Sequence, residues 1–117
     1  MQTTKDLELK ELGYYVGSEH IYRGMWGKYT DGIKYLIDNG YSWFVTDAQI
    51  VIAMKPRLKR EPFLTVELKL NRDGTAQTVI TDGNENVLYT QDYQWTDAKK
   101  EVKLYYENGV MLLPSER

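Results

Sequence analysis

Four side chains are of types that could take part in acid–base or metal chemistry, and none stands in a recognisable catalytic pattern. His20 is the sole histidine, and histidine is the most common general base in enzymes. Its position beside Glu19, at an expected helix start, favours a surface or capping role over catalysis. Asp31, Asp38 and Asp47 could pair to share a proton or to bind Mg²⁺.

The spacing of these aspartates favours structural roles. Asp31 is placed to cap a helix, and Asp38 lies at the exit of one. Asp47 falls within an apolar stripe, where a carboxylate needs a donor such as Arg23 or a tyrosine or tryptophan side chain. The chain also has no cysteine, which excludes disulfides and thiol nucleophiles. The sequence therefore favours a protein without catalytic residues, metal or cofactor.

The strongest electrostatic feature is a short basic segment. Residues 55–60 carry four bases and no acid in a chain whose net charge is −2. Such a segment contacts phosphates or an acidic partner, or it is a solvated loop whose first lysine stabilises the end of the preceding helix. These alternatives stay open.

A cluster of aromatic residues is the second anomaly, because glycines at positions 24 and 27 keep it from forming a regular helix face. Aromatic side chains beside an arginine form hot spots in protein interfaces and also stack on single-stranded nucleic acids. The alternative is a second small core between helices and sheet. We combine both anomalies into one candidate interaction surface, made of Tyr22, Arg23, Trp26, Lys28, Tyr29, Lys55, Arg57, Lys59 and Arg60.

The elements that must position these residues follow from periodicity. Capping residues, apolar stripes and glycine stops predict helices over about residues 4–12, 18–26, 30–39 and 42–55. From Phe63 the period changes to two, which predicts an antiparallel β-meander of four to five strands, with Asn108-Gly109 in a type I′ turn. We expect an α+β fold in a single domain, 1–117, with a helical half, 1–55, and a β half, 63–114.

Composition narrows the class of protein. The chain has 117 residues, of which 27% are charged and 42% hydrophobic, as in ordinary globular domains. The N-terminus alternates charged residues with leucine and lacks the apolar run of a signal peptide. We therefore expect a cytoplasmic protein that does not enter a membrane.

Several sequence blocks resemble a family of small, uncharacterised bacterial and phage proteins. The blocks span nearly the whole chain: Gly17-Ser18-Glu19, Tyr22-Arg23, Tyr29 to Leu36, Trp43 with Asp47, Asp82-Gly83-Asn84, and Asn108 to Glu116. The Tyr-Thr-Asp-Gly block and the Leu-Pro-Ser-Glu tail are the most specific. Where the family pattern has a His-Trp pair after the arginine, this chain has Gly24-Met25-Trp26. The resemblance implies a shared fold and a prokaryotic or mobile-element setting, and it brings no known activity.

Three functions remain after these exclusions. The sequence favours a non-enzymatic protein–protein interaction or regulatory protein, for example one that inhibits a host complex such as a defence system. The second hypothesis is a nucleic-acid-binding accessory module that uses the bases of residues 55–60. The third is a small enzyme of unknown chemistry. The oligomeric state is left open.

Overall fold

The protein is described by a computed structural model that covers residues 21–117. One mixed sheet of seven strands dominates this part of the chain, in the order β1-β2-β7-β6-β3-β4-β5. The strands are β1 (Ile21–Arg23), β2 (Lys28–Thr30), β3 (Phe63–Leu70), β4 (Ala76–Thr81), β5 (Val87–Tyr93), β6 (Val102–Glu107) and β7 (Val110–Leu112).

The α+β class is confirmed, but the predicted topology is wrong. Strands β1 and β2 precede the helices, and β2 pairs with β7 in parallel. Strand β6 crosses back to pair with β3 rather than with β5. The sheet is therefore larger than a meander of four to five strands, and the boundary between a helical half, 1–55, and a β half does not exist in the described part.

The helix expected over residues 18–26 is also wrong where it can be compared. Residues 21–23 form β1, and Gly24 to Gly27 form the loop of the β1–β2 hairpin. Each strand of this hairpin has only three residues, too few for a period of two to emerge from the sequence. The helix expected over residues 4–12, His20 and residues 18–20 lie outside the described residues.

The other two helices are confirmed. Helix α1 spans Asp31–Leu36 and helix α2 spans Ser42–Met54, separated by the kinked turn Ile37–Tyr41. Gly40 in that turn has φ 96°, the left-handed conformation that glycine adopts without steric cost. Pro56 then opens the short helix α3, Pro56–Lys59.

The core lies between this helical layer and one face of the sheet. Alternate residues of β3 point into it, as the sequence predicted, and Leu64, Val66 and Leu68 are fully buried. Helix α2 supplies the facing side chains, among them Phe44 and Ile52. This alternation is typical of a sheet with a single covered face. Within residues 21–117, no helix has the length and apolar character needed to cross a lipid bilayer.

Glu116 holds the chain end against the junction between β2 and α1. Its carboxylate accepts hydrogen bonds from the Thr30 hydroxyl, the Gly32 amide at 3.0 Å and the Leu113 amide at 2.9 Å. We call this group, Thr30, Gly32, Leu113 and Glu116, the C-terminal clasp. Thr30 occupies the expected N-cap position, but its own side chain does not cap the helix; the glutamate from the other end of the chain does so instead.

The clasp explains why the two most specific sequence blocks belong together. Thr30 and Gly32 come from the Tyr-Thr-Asp-Gly block, and Leu113 and Glu116 from the Leu-Pro-Ser-Glu tail. A Cβ atom placed on Gly32 would lie only 2.5 Å from Leu113 Cδ1 and 2.6 Å from Glu116 Oε1. Glycine at this position therefore makes room for the clasp.

The sheet curves around helix α2. On one flank of the helix, the ring of Trp43 lies 5.2 Å from that of Tyr93 in β5. On the other flank, the Gln49 amide lies 3.5 Å from where a Cβ atom of Gly27 would stand, in the β1–β2 hairpin. The two outermost strands of the described sheet, or the loop beside them, thus lie near opposite sides of one helix.

The turn between β6 and β7 confirms the predicted hairpin. Glu107 pairs with Val110, which leaves a loop of two residues. Asn108 has φ 53° and Gly109 has φ 81°. Positive φ at both positions defines the type I′ turn.

Candidate functional site

The β1–β2 hairpin presents two large apolar side chains to solvent at its tip. Gly24 donates its amide to the Gly27 carbonyl at 2.9 Å, which closes the loop around Met25 and Trp26. Met25 is 90% exposed and Trp26 is 41% exposed. We call this pair the hairpin tip. The sequence analysis singled out Trp26 and missed Met25, although both lie between the same two glycines.

Tyr22 and Tyr29 have a different role, because they lie opposite each other on the face of the hairpin toward α1. Their rings stack with centroids 5.5 Å apart, and the Lys34 ammonium lies 5.8 Å from the centre of the Tyr22 ring. The hydrogen bond with Asp31 raises the pKa of Tyr22. Both tyrosines are half-buried, so they pack the hairpin onto the helix and only their outer edges can meet a partner.

Arg23 and Lys28 are directly opposite each other in the hairpin, and both are exposed. Like charges at facing positions of an antiparallel pair are destabilising. No salt bridge with another residue of 21–117 compensates either cation. The hairpin therefore carries two cations next to its apolar tip that form no salt bridge within the described residues.

The second group of expected site residues is the basic segment, Lys55, Arg57, Lys59 and Arg60. Leu58 is buried and anchors α3, while the four basic side chains are exposed. The Lys55 ammonium lies 5.5 Å from the ring centre of Tyr89 in β5. In the described part of the chain, none of the four forms a salt bridge.

The structure brings the hairpin residues together but places the basic segment on another flank of α2. Gln49 faces the hairpin, and Lys55 lies six residues later, beside β5. Bond lengths and the helical rise limit the separation of the Trp26 and Lys55 Cα atoms to about 24 Å. A standard interface of about 800 Å² per partner is of similar width. The two groups are distinct, and one partner could still contact both.

The three aspartates do not converge. Asp38 forms an exposed ion pair with Lys34 at 2.7 Å, and Asp31 begins α1 beside Tyr22. Residues 21–117 contain no cluster of three or more histidine, cysteine, aspartate or glutamate side chains that could hold a metal ion.

Asp47 has the kind of partner that the sequence required. The Tyr93 hydroxyl lies 3.4 Å from the Asp47 carboxylate and 2.9 Å from the Thr78 hydroxyl. Burial raises the pKa of Asp47, and the hydrogen bond from Tyr93 only partly opposes this effect. Burial, with the nearby Asp47 charge, raises the pKa of Tyr93 to about 12. Asp47 therefore belongs to the packing between α2 and β5.

Comparison with known proteins gives one match. The model of DUF6876, a family of unknown function, matches residues 6–117. The chain belongs to this family. The match confirms the resemblance drawn from the sequence blocks and assigns no activity to the family or to the chain. No curated protein matches the sequence, and no solved structure matches it.

Proposed function

We propose that this chain is a non-enzymatic protein-binding module whose contact surface is centred on the hairpin tip. The observation that carries the proposal is that two large apolar side chains, Met25 and Trp26, are exposed on a short hairpin, with the exposed cations Arg23 and Lys28 beside them. Tryptophan and arginine are enriched among residues that dominate binding energy. Methionine adapts its shape to irregular partner surfaces.

The proposal divides the work between apolar and charged residues. Exposed cations attract an acidic partner over a distance and raise the rate of association. Burial of the hairpin tip then holds the complex and lowers the rate of dissociation. The partner would therefore have an acidic surface around an apolar pocket.

We extend the proposal to a biological setting. The resemblance drawn from the sequence blocks implies a prokaryotic or mobile-element source, phage included. A small binding protein from such a source would act as a regulator or inhibitor of a host complex, and a bacterial defence system is one concrete form of that complex. The module would work in the cytoplasm, where such complexes assemble.

The experiment begins with affinity purification from the native host, with the full chain as bait. The captured protein is then purified, and its binding rates are measured against variants. Trp26→Ala should speed dissociation by about tenfold or more, as expected for a hot spot that contributes more than about 1.4 kcal/mol. Trp95→Ala is the matched control, because Trp95 is an exposed tryptophan far along the chain from the hairpin.

A second pair of variants tests the charges. Reversal of the two hairpin cations, Arg23 and Lys28, to glutamate should slow association, more strongly at low salt. The control reverses two exposed lysines outside the hairpin, Lys99 and Lys100. Equal effects of test and control variants, for tryptophan and for charge alike, would contradict the proposed surface.

Nucleic-acid binding is the second candidate function, favoured by the six cations of the hairpin and the basic segment that lack an acidic partner among residues 21–117. Fluorescence anisotropy with single- and double-stranded oligonucleotides tests it. Binding to phosphates must weaken steeply as salt rises, because each neutralised phosphate releases counterions. Salt-sensitive binding to an oligonucleotide, together with no captured protein, would favour this second function over the first.

A further inference from the structure

Strand β5 forms an open edge of the sheet among the described residues. It pairs with β4, and within residues 21–117 no other strand lies on its far side. A long free edge exposes backbone amides and carbonyls that can pair with another chain, and soluble proteins often block such edges with lysine or proline. The segment Val87–Tyr93 contains neither residue. It is rich in the β-branched and aromatic residues that favour strands.

A bulge protects only the start of this edge. The register with β4 shifts between Ile80 and Thr81, so that Thr81 faces Val87 while Ile80 faces Tyr89. From Tyr89 to Tyr93 the pairing is regular. That part of β5 is straight enough to accept a further strand.

Helix α2 runs beside the open edge and leaves apolar surface there. Trp43 and Asp47 contact Tyr93, and Lys55 lies over Tyr89. The helix therefore runs antiparallel to β5. Met54, one turn after Ile50, is 69% exposed on this helix. A strand added to β5 would extend the curved sheet around α2 and bring new side chains next to Met54.

We propose that the occupant of this edge is a second copy of the same chain, with its own β5 paired antiparallel about a two-fold axis near Thr90. Strand β5 itself has the strand-forming sequence that a neighbour at this edge needs. A two-fold contact uses the same surface on both copies. In this dimer the β5 edge of each copy pairs with the β5 edge of the other, so neither is left open. A contact with an unrelated strand would close the β5 edge of one copy only.

The register about Thr90 is compatible with the side chains. Tyr89 of one copy faces Gln91 of the other, and both lie on the face of the sheet toward α2, since they pair with Ile80 and Thr78 of β4. Asp92 faces Leu88 of the second copy, so the two Asp92 carboxylates avoid each other. Thr90 faces its own counterpart, a pair that is favourable across strands.

The charges on α2 support the same arrangement. In each copy Lys55 lies at the end of the contact near Tyr89, and Asp47 lies at the other end, near Tyr93. Antiparallel pairing brings the lysine end of one copy toward the aspartate end of the other. The two hairpin tips come to lie on opposite outer sides of the dimer, because β1 and β5 are the two outermost strands of the described sheet.

Substitution of Thr90 gives a direct test, because its side chain is exposed and its replacement should leave each copy folded. Sedimentation velocity over a concentration series should show a dimer of the wild-type chain. Thr90→Lys and Thr90→Glu should each raise the dissociation constant by about tenfold, because like charges then face each other at the two-fold axis. An equal mixture of the two variants should restore a dimer containing one copy of each.

Asn108→Lys serves as the control, since it adds the same charge in the exposed β6–β7 turn, which β6, β3 and β4 separate from β5, and should leave dimerisation unchanged. Amide hydrogen exchange of residues 88–92 supplies a second readout and should slow as the protein concentration rises. A wild-type chain that stays monomeric at millimolar concentration would overturn the proposal. A dimer that Thr90→Lys and Thr90→Glu leave intact, or exchange at residues 88–92 that is slow at every concentration, would overturn it as well.

Discussion

The C-terminal clasp and the contact between α2 and β5 each take a carboxylate out of water, and they do so in different ways. Glu116 is 7% exposed and accepts three hydrogen bonds within the protein. Asp47 is only half-buried, and the hydrogen bond that it accepts from Tyr93 is long at 3.4 Å. The more deeply buried group is the better satisfied one.

This difference shows that the number of hydrogen-bond donors, more than the depth of burial, decides whether a buried carboxylate is tolerated. A carboxylate with several donors exchanges its water contacts for protein contacts. A carboxylate with a single weak donor keeps much of its desolvation cost, which is why the pKa of Asp47 is raised. The clasp is therefore held by polar bonds, whereas the α2–β5 contact is held mainly by the rings around Asp47.

The largest expected effect tests the apolar part of the α2–β5 contact. Trp43→Ala should destabilise the fold by about 3–5 kcal/mol, because Trp43 is 9% exposed and its removal leaves a cavity. Denaturant unfolding measures this change. Trp95→Ala, the exposed control, should alter stability by less than about 0.5 kcal/mol. A loss below about 1 kcal/mol for Trp43→Ala would show that the rings do not hold this contact.

The next effect tests the polar clasp. Glu116→Ala should cost about 2–4 kcal/mol, because it leaves the Thr30 hydroxyl and two backbone amides without an acceptor. The matched control is Glu107→Ala, which removes a partly exposed ion pair with Arg117 at 3.2 Å and should cost less than about 1 kcal/mol. Equal losses of stability in the two variants would contradict the expected difference between a buried, hydrogen-bonded carboxylate and a partly exposed one.

The smallest change in stability is expected for Asp47, and here the substitution should stabilise the protein rather than destabilise it. Because the pKa of Asp47 is raised in the folded state, the folded protein holds more protons than the unfolded one just above pH 3.8, the ordinary aspartate value. Its contribution to stability therefore falls as pH rises through the raised pKa. Asp47→Asn should stabilise the protein slightly at pH 7, and this gain should disappear when the pH falls below 3.8.

Asp73 is the control of opposite sign. Hydrogen bonds from the Thr75 hydroxyl and amide lower the pKa of Asp73, so its contribution to stability is present above pH 3.8 and is lost as pH falls through the lowered pKa. Asp73→Asn should destabilise the protein at pH 7 and have no effect in strong acid. Thermal melts of both variants from pH 2 to pH 8 make the measurement. Asp47→Asn behaving like Asp73→Asn would contradict the role of burial at Asp47.

Local sequence patterns predicted the elements that have either a long periodic pattern of apolar residues or residues with strong backbone preferences. Helix α2 has a stripe over thirteen residues, and β3 alternates over eight. The Asn108-Gly109 turn follows from the backbone preferences of two residues. In each case the information lies within a few turns or within one strand.

The elements that sequence analysis missed depend on distant partners. Strands β1 and β2 have three residues each, and an isolated hairpin of this size is marginal in water. They form because β2 pairs with β7 and the clasp fixes its end. No pattern within residues 21–30 indicates a partner near residue 111, so local sequence alone predicts a helix over residues 18–26.

Sequence analysis predicted only part of the candidate site, because the rest of the site also depends on contacts between residues that are distant in the sequence. The aromatic cluster was singled out by composition, but its division into half-buried Tyr22 and Tyr29 and exposed Trp26 depends on the hairpin. The basic segment was clear from charge alone. Its position on another flank of α2 follows from the curvature of the sheet, which local sequence does not specify.

The parallel pairing of β2 with β7 also sets the order in which the protein can fold during synthesis. Lys28 and Tyr29 meet Val110 and Met111, so residues 110 and 111 must leave the ribosome before this pair can form. Strands β3, β4 and β5 are joined by short turns and can assemble earlier with α2. The hairpin that bears Trp26 is therefore fixed in place last, and a nascent chain stalled before residue 110 would hold a partly built sheet without its binding surface.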